Sequence, residues 1–502
     1  METPVKAPPG EAVHSGGKAL EFGPEGADLE SPGNSGALIS PEERIAEFRE
    51  LRSAGFLCLD GDFFPSVHYP PITMYPPITQ EAMFKGYDNP EGNRFDIYVH
   101  LPFCITCCTF CHYPGKYGYA REEEKDHYLE MLEKEMDISR RVLGVDKFAA
   151  RSILIGGGTP TFLTPEQLER FLRSFAERVD LRQRTQFNYD VDPKTLLGAE
   201  GRERLEIMRS FGVDRLTIGV QSLNDEILRK MNRNHDAREA LEAIRATREM
   251  GFQVNIEFIF GYPGLTTEIW REDMEKAVGL GVEEIQLYRL KVVPYGDRTG
   301  TITRKFSDHE EEFVPVEEAL RMKQTAINIL AENGYTENLR RVYTKEKKHF
   351  SHYAHNQCCN LFDQIGFGLT AFSSLRDRFV LNTQSFEEYY DLVGRGRLPL
   401  NRGLTRSFED QLRWHLILPL KNREVHKKRF FKRTGMAVND VFGGKIERLK
   451  KYGLLVEDER RVALTPLGAF FADESCQVFH DPKYLPFPRS AYAPAELNPY
   501  WD

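Results

Sequence analysis

The chain has 502 residues, 41% hydrophobic and 12% aromatic, enough apolar surface to bury a large core and fold as two or three domains. Its formal net charge of −9 gives no overall pull toward nucleic acid or an anionic membrane surface. No run of about 18 apolar residues is present to span a bilayer.

The opening "METPVKAPPGEAVHSGG" lacks the apolar centre of a signal peptide. Eight cysteines are too few and too irregular for a secreted disulfide framework. A cytoplasmic location with reduced thiols is the expectation. Residues 1–40, rich in Gly, Pro, Ser and Glu and nearly free of aromatics, predict a disordered tail. Residues 41–94 follow as a helix and a strap. "SPEERIAEFRELRSAGF" (40–56) offers a Ser N-cap, an acidic first turn and a Gly stop. In "FFPSVHYPPITMYPPIT" (63–79), five prolines forbid a helix or a central strand. This extended segment must lie on another surface, and it carries Tyr69 and Tyr75 with it.

Over 95–300 short apolar runs alternate with amphipathic segments. "FDIYVHLPF", "RSILIGGGTP", "QFNYDVDP", "RLTIGVQ", "NIEFIFGYP" and "EIQLYRL" read as strands, with "REEEKDHYLEMLEKEMDISRRVLG" a helix between the first two. Repeated βα units predict an α/β fold with a parallel sheet and chemistry at the carboxyl ends of the strands. Residues 301–400 extend this core and include "HYAHNQCC" (352–359) and "GFGLTAFS" (366–373). Residues 401–480 read as helices with a small hairpin, "GLLVEDERRVALTPLG", of winged-helix type. Their mixed charge makes no basic stripe for a nucleic-acid reader, and "KNREVHKKRFFKR" (421–433) reads as a solvated helix face. The tail from 481 to 502 is a second Pro- and aromatic-rich strap, packed or partner-binding.

Four of the cysteines fall within "CITCCTFC" (104–111), on the loop after the first core strand. Cys104, Cys108 and Cys111 have the spacing C-x3-C-x2-C. Three thiolates from one loop hold three irons of a [4Fe–4S] cube and leave the fourth open to a ligand. A zinc site would need a second pair, for which "HYAHNQCC" is the candidate. Cys107, off the spacing, is expected to be a buried free thiol.

This signature resembles that of the radical SAM superfamily, and "DIYVHLPFCITCCTFC" resembles its branch containing oxygen-independent coproporphyrinogen III oxidase. "GGGTPTFL" (156–163), "DVDP" (190–193), "GVQS" (219–222), "NRNHD" (232–236), "FGYPG" (260–264) and "GFGLTAFS" follow in the order of that branch. The resemblance implies a partial (β/α)6 TIM-like barrel with an N-terminal strap and a C-terminal helical, winged-helix-like lid. It implies a [4Fe–4S] cluster ligated by Cys104, Cys108 and Cys111, and S-adenosylmethionine (SAM) on the fourth iron. Tyr98, Gly156, Gly157, Gly158, Thr159, Asp190, Gln221, Arg233 and Glu257 are its candidate SAM contacts, and His100 matches a histidine near the cluster. The branch has Glu where Asp190 stands and Asp where Glu257 stands.

Where the oxidases carry a further cysteine, this chain has Tyr113. That departure turns the expectation toward relatives that use two SAM molecules, one for a 5′-deoxyadenosyl radical and one as methyl donor to an sp2 carbon. Gly366 and Gly368 would help form the second site. Tyr288, Arg289 and Tyr295 are candidates to hold a planar or anionic small-molecule substrate, an aromatic, quinone or tetrapyrrole. An electron donor such as flavodoxin or ferredoxin is implied. The alternatives are coproporphyrinogen III oxidation and a non-catalytic heme chaperone.

Overall fold

The computed structural model describes residues 38–59, 68–118, 120–292 and 300–501. The expected disordered tail up to Ala37, the first residues of the strap and Tyr295 lie outside them.

Helix α1 (Pro41–Ser53) begins in a capping box between Ser40 and Glu43, as its sequence predicts. The core is six strands: β1 (Arg94–Leu101), β2 (Phe148–Gly157), β3 (Phe187–Val191), β4 (Arg215–Gln221), β5 (Gln253–Phe260) and β6 (Glu284–Arg289). Helices α2 (Glu122–Leu143), α3 (Pro165–Arg178), α4 (Gly198–Ser210), α5 (Ala237–Glu249) and α6 (Thr267–Gly279) connect them. Every neighbouring pair is parallel and the spatial order follows the chain. Without a reversal of strand order, right-handed crossovers put all helices on one face and turn the other inward, as in a barrel.

The strands show the same division. Ile97, Val99 and Leu101, Ile153 and Ile155, and Leu216, Ile218 and Val220 are buried toward the helices. At the alternate positions stand Asp96, Tyr98 and His100, Asn188 and Asp190, Arg215 and Thr217, Glu257, and Glu284, Gln286 and Tyr288. The inner face is therefore polar and demands internal partners. At its lower end Asp96 accepts from Arg151, Ser152 and Asn356 at 2.8, 2.5 and 2.9 Å.

The hairpin β7 (Thr336–Leu339) and β8 (Val342–Thr344) continues the sheet beyond β6, after helix α7 (Val316–Glu332). On the other side β9 (Gln364–Phe367) pairs parallel to β1. Antiparallel β10 (Phe372–Leu375), β11 (Arg378–Asn382) and β12 (Leu400–Thr405) follow. The proline-rich strap lies along β12: Gly403 N donates to Pro76 O at 3.0 Å and Ile78 N to Asn401 O at 3.2 Å.

Glu135 of α2 ties that second half to the first. Its carboxylate accepts from Gly368 N, Tyr389 Oη and Asn382 Nδ2 at 2.7 to 2.8 Å. Burial nevertheless pushes it up to about 7. Its folded value exceeds its unfolded one, so its contribution is fully present below about pH 4.5 and is lost as pH rises through 7. We expect wild-type stability to fall by about 2 kcal/mol from pH 5 to pH 8 relative to Glu135→Gln, in paired urea titrations. A constant difference across that range would contradict the assignment.

The C-terminal part packs helix α8 (Phe408–Asn422), four further helices and a three-stranded sheet into a second core, shared with α1. Residues 421–433 are a solvated face only in part: Lys428 and Lys432 are exposed, whereas Lys421, Val425 and Phe430 are buried. Arg429 and Arg433 donate to Asn360 Oδ1 and Leu361 O at 2.9 and 3.3 Å, and Lys427 pairs with Glu457 at 2.6 Å. The C-terminal strap is packed against the start of the fold, Leu497 N donating to Ala54 O at 2.9 Å. No helix among the described residues is long and apolar enough to cross a membrane.

Candidate active site

The cysteine loop leaves the carboxyl end of β1 and has little regular structure of its own. Its form comes from other units. Asn232 Nδ2 donates to Cys107 O at 2.7 Å, Thr109 N to Met231 O at 3.1 Å and Ile302 N to Thr109 O at 3.0 Å. The Tyr262 hydroxyl links Thr109 Oγ1 and Lys230 O at 2.6 and 2.8 Å. Asn232 adopts φ +57°, which the Asn side chain tolerates better than most. Sequence reasoning missed it; an Asn directly before the conspicuous Arg of "NRNHD" was the available signal.

The thiols of Cys104 and Cys111 are pushed up to about 12 and 11 by burial, with the neighbouring thiols adding to the effect. Such groups keep their protons until a metal displaces them. Thr159 hydrogen-bonds Cys104, and Arg233 Nη1 stands 3.1 Å from Cys108 Sγ. Cys107 is half-buried rather than buried, and its sulfur faces Tyr117.

The glycine ridge after β2 is shaped by close approach. A Cβ on Gly158 would lie 2.6 Å from Phe103 O and 2.8 Å from Cys104 Sγ. On Gly157, at φ +115°, it would strike the His100 ring, and on Gly156 Asp190 Oδ2. Only glycine lets the backbone pass here. Gln221, at φ +71°, and Arg233 gather over Gly219, and both Gln221 Oε1 and Arg233 Nε are buried without a hydrogen-bond partner. Buried orphans of this kind call for a ligand. Three thiols, a cradle that a Cβ would fill and unpaired donor and acceptor atoms beside it fit a [4Fe–4S] cluster with SAM.

Deeper in the barrel, burial raises Asp190 to about 6 and Glu257 to about 8, the charge of Asp190 adding to the rise at Glu257. Tyr288 Oη donates to Glu257 Oε1 at 3.3 Å. His100 bonds Tyr98 Oη at 2.9 Å, and burial drives it down to about 3, so it stays neutral. Tyr98 also neighbours Phe372 and Tyr353, the ring centroids 5.9 and 6.4 Å away.

Gly366 lies within β9, paired with Tyr98 of β1, and Gly368 follows it beside His100. A Cβ on Gly366 would meet Phe372 O at 2.2 Å, and one on Gly368, at φ +99°, His100 O at 2.4 Å. Backbone packing accounts for glycine at both. "HYAHNQCC" assembles no donor set: His352 stacks on Phe350, His355 bonds Asn360, and among the described residues no three His, Cys, Asp or Glu groups converge to hold a single ion.

Comparison with known proteins agrees with this geometry. The Radical SAM superfamily matches residues 98–277 and the HemN C-terminal domain residues 408–471. The chain thus carries a radical SAM domain followed by a HemN C-terminal domain, the pairing of HemN-like proteins. Heme chaperone HemW of Bacillus subtilis is 27% identical to this HemN-like chain over 387 residues, 75% of this chain and 97% of the relative. Oxygen-independent coproporphyrinogen III oxidase of Escherichia coli is 26% identical over 418 residues, covering 80% and 88%. The solved structure of coproporphyrinogen III oxidase (HemN) from Escherichia coli superposes with a TM-score of 0.71 at 23% identity, over 83% of this chain and 97% of that one. The HemN-like fold, the cluster and SAM follow from these matches.

Proposed function

We propose that the chain is a HemN-type radical SAM oxidoreductase acting on a carboxylate-bearing tetrapyrrole of the coproporphyrinogen type. The observation that carries this reading is the complete donor set: three signature thiols beside a glycine ridge, with Gln221 Oε1 and Arg233 Nε buried and unpartnered. When bound, the cluster and SAM supply a 5′-deoxyadenosyl radical that removes a hydrogen atom from the substrate. The residues of the chain do the rest. The glycine ridge admits the methionine part of SAM, Asp190 and Glu257 face its polar groups, and Gln221 and Arg233 offer an acceptor and a donor.

The Arg341 guanidinium stands 6.0 Å from the Tyr288 ring, whereas Arg289, on the other face of β6, lies beside Gly261; burial together with Arg341 lowers Lys291 to about 6. A lysine so placed takes up a proton when a carboxylate arrives beside it. Tyr113 is 61% exposed, yet its phenol is raised by desolvation. Its ring stands 6.1 Å from that of His100 beside Cys111, and it can pack against a planar ring.

Methyl transfer to an sp2 carbon has less support. Gly366 and Gly368, on which a second SAM site would rest, are explained by packing, and the close relatives are oxidases and HemW. A heme-chaperone reading is favoured by the 97% coverage of HemW. Anaerobic incubation of the fully clustered protein with dithionite, SAM and coproporphyrinogen III separates the three. We expect 5′-deoxyadenosine together with carbon dioxide. S-adenosylhomocysteine in place of carbon dioxide would indicate methyl transfer, and absence of deoxyadenosine a chaperone.

A further inference from the structure

The guanidinium of Arg233 is committed before any ligand arrives. Nη1 contacts Cys108 Sγ at 3.1 Å, and Nη2 donates to Asp192 Oδ2 at 2.9 Å and to Gly219 O at 2.7 Å. The Arg233 and Asp192 side chains are 9% and 8% exposed. A Cβ at Gly219 would meet Gln221 Nε2 at 3.0 Å and leave Arg233 Nη2 in ordinary contact at 3.6 Å. Nε alone is left without a partner. Two of the three nitrogens therefore serve the protein itself, and one of them serves a cluster ligand.

We propose that Arg233 is a positioning residue that sets the reduction potential of the cluster through the Cys108 sulfur, with Asp192 as the opposing charge. A hydrogen bond to a ligating sulfur draws electron density from it and favours the added electron. The donor here is a full cation, so the bond is charge-assisted and its electrostatic part adds to the effect. Asp192 acts the other way. Its carboxylate lies near enough to Cys104 and to Arg233 to disfavour negative charge at the sulfurs. In a site shielded from water, neither charge is strongly screened. The arrangement keeps the guanidinium plane fixed: Asp192 and Gly219 O hold one nitrogen, so the other stays on the sulfur whether or not SAM is present.

The inference rests on the cluster site of the reading above and not on its substrate. It can be tested without turnover. The step is a one-electron reduction: an external low-potential donor gives one electron and the cluster gains it, with no bond made or broken. The experiment is an EPR-monitored dithionite titration of reconstituted, SAM-free protein, with iron content checked for each variant. Arg233→Gln should weaken reduction by about tenfold, a shift of about 59 mV to lower potential for a one-electron couple. Asp192→Asn should move the potential upward. Arg233→Lys, which keeps the charge and loses the fork, should fall between wild type and Gln.

Opposite signs in two neighbouring variants are what a general loosening of the loop would not produce. If Arg233→Gln fails to hold iron, Asp192→Asn decides alone: an upward shift supports the proposal, and an unchanged or lower potential overturns it. Unchanged potentials in every variant, with weaker SAM binding as the only effect of Arg233→Gln, would also overturn it. Arg233 would then be a SAM ligand and nothing more.

Discussion

Replacing Cys104, Cys108 or Cys111 by Ser is expected to remove the visible absorbance of the reconstituted cluster and to cut SAM cleavage by more than about a hundredfold, past the 10–100-fold range of outer-shell changes. Cys107→Ser is expected to keep both. The reason lies in how the loop is held. Asn232 fixes the carbonyl of Cys107, and the Cys107 sulfur faces Tyr117, whereas Cys104 is packed against the Gly158 backbone and Cys108 is met by Arg233. Serine at 107 changes a half-buried thiol for a hydroxyl with a phenol nearby, a cost on the order of 1 kcal/mol. Iron content, absorbance and deoxyadenosine formed in the same preparations check the set. Equal damage from all four substitutions would remove the assignment.

The second large effect is on stability. Arg215 and Glu284 form a two-pronged pair inside the barrel, both contacts 2.7 Å, with the side chains 3% and 0% exposed. Arg215 also donates to Asn188 Oδ1 and Thr217 Oγ1, and Gln253 donates to Glu284. Such a pair adds little beyond a well-packed apolar substitute, but removing one partner strands the other charge in the interior. Arg215→Met should therefore cost about 3 to 5 kcal/mol in urea unfolding. Adding Glu284→Gln should recover at least half, because the uncompensated charge is then gone. A double variant as unstable as the single one would show that the loss came from shape rather than charge.

Much of this was visible in the linear sequence, for identifiable reasons. The core strands declare themselves by short apolar runs between amphipathic helices, and their parallel order follows from the βα repeat. The thiol signature is local, so spacing alone placed Cys104, Cys108 and Cys111 on one loop. Contacts made across the barrel were not visible in this way. Arg233 looked like a group awaiting a carboxylate, yet its sulfur contact is with a residue 125 positions away. Asn232 was passed over, since its bond to the Cys107 carbonyl spans 125 positions. Glu135 lay unnoticed in a charged helix, because only the folded chain shows that Gly368, Asn382 and Tyr389 converge on it. The basic run at 421–433 read as wholly solvated because charge pattern does not reveal that Asn360 and Leu361 stand opposite Arg429 and Arg433.

The proline-rich strap has a consequence for how chains of this protein meet one another. Sheets grow at their edges, where unpaired N–H and C=O groups accept another strand. On this flank the last regular strand is β12, and beyond it lies the strap, paired through Pro76 O and Ile78 N. Four of its residues between 70 and 77 are prolines, which have no N–H to offer a newcomer. A further strand arriving from a second molecule would find few donors to pair with. A chain that began after the strap would instead end its sheet in a bare β12, open to edge-to-edge association. The strap thus withholds, on this flank, the hydrogen bonds through which a second molecule's strand would join.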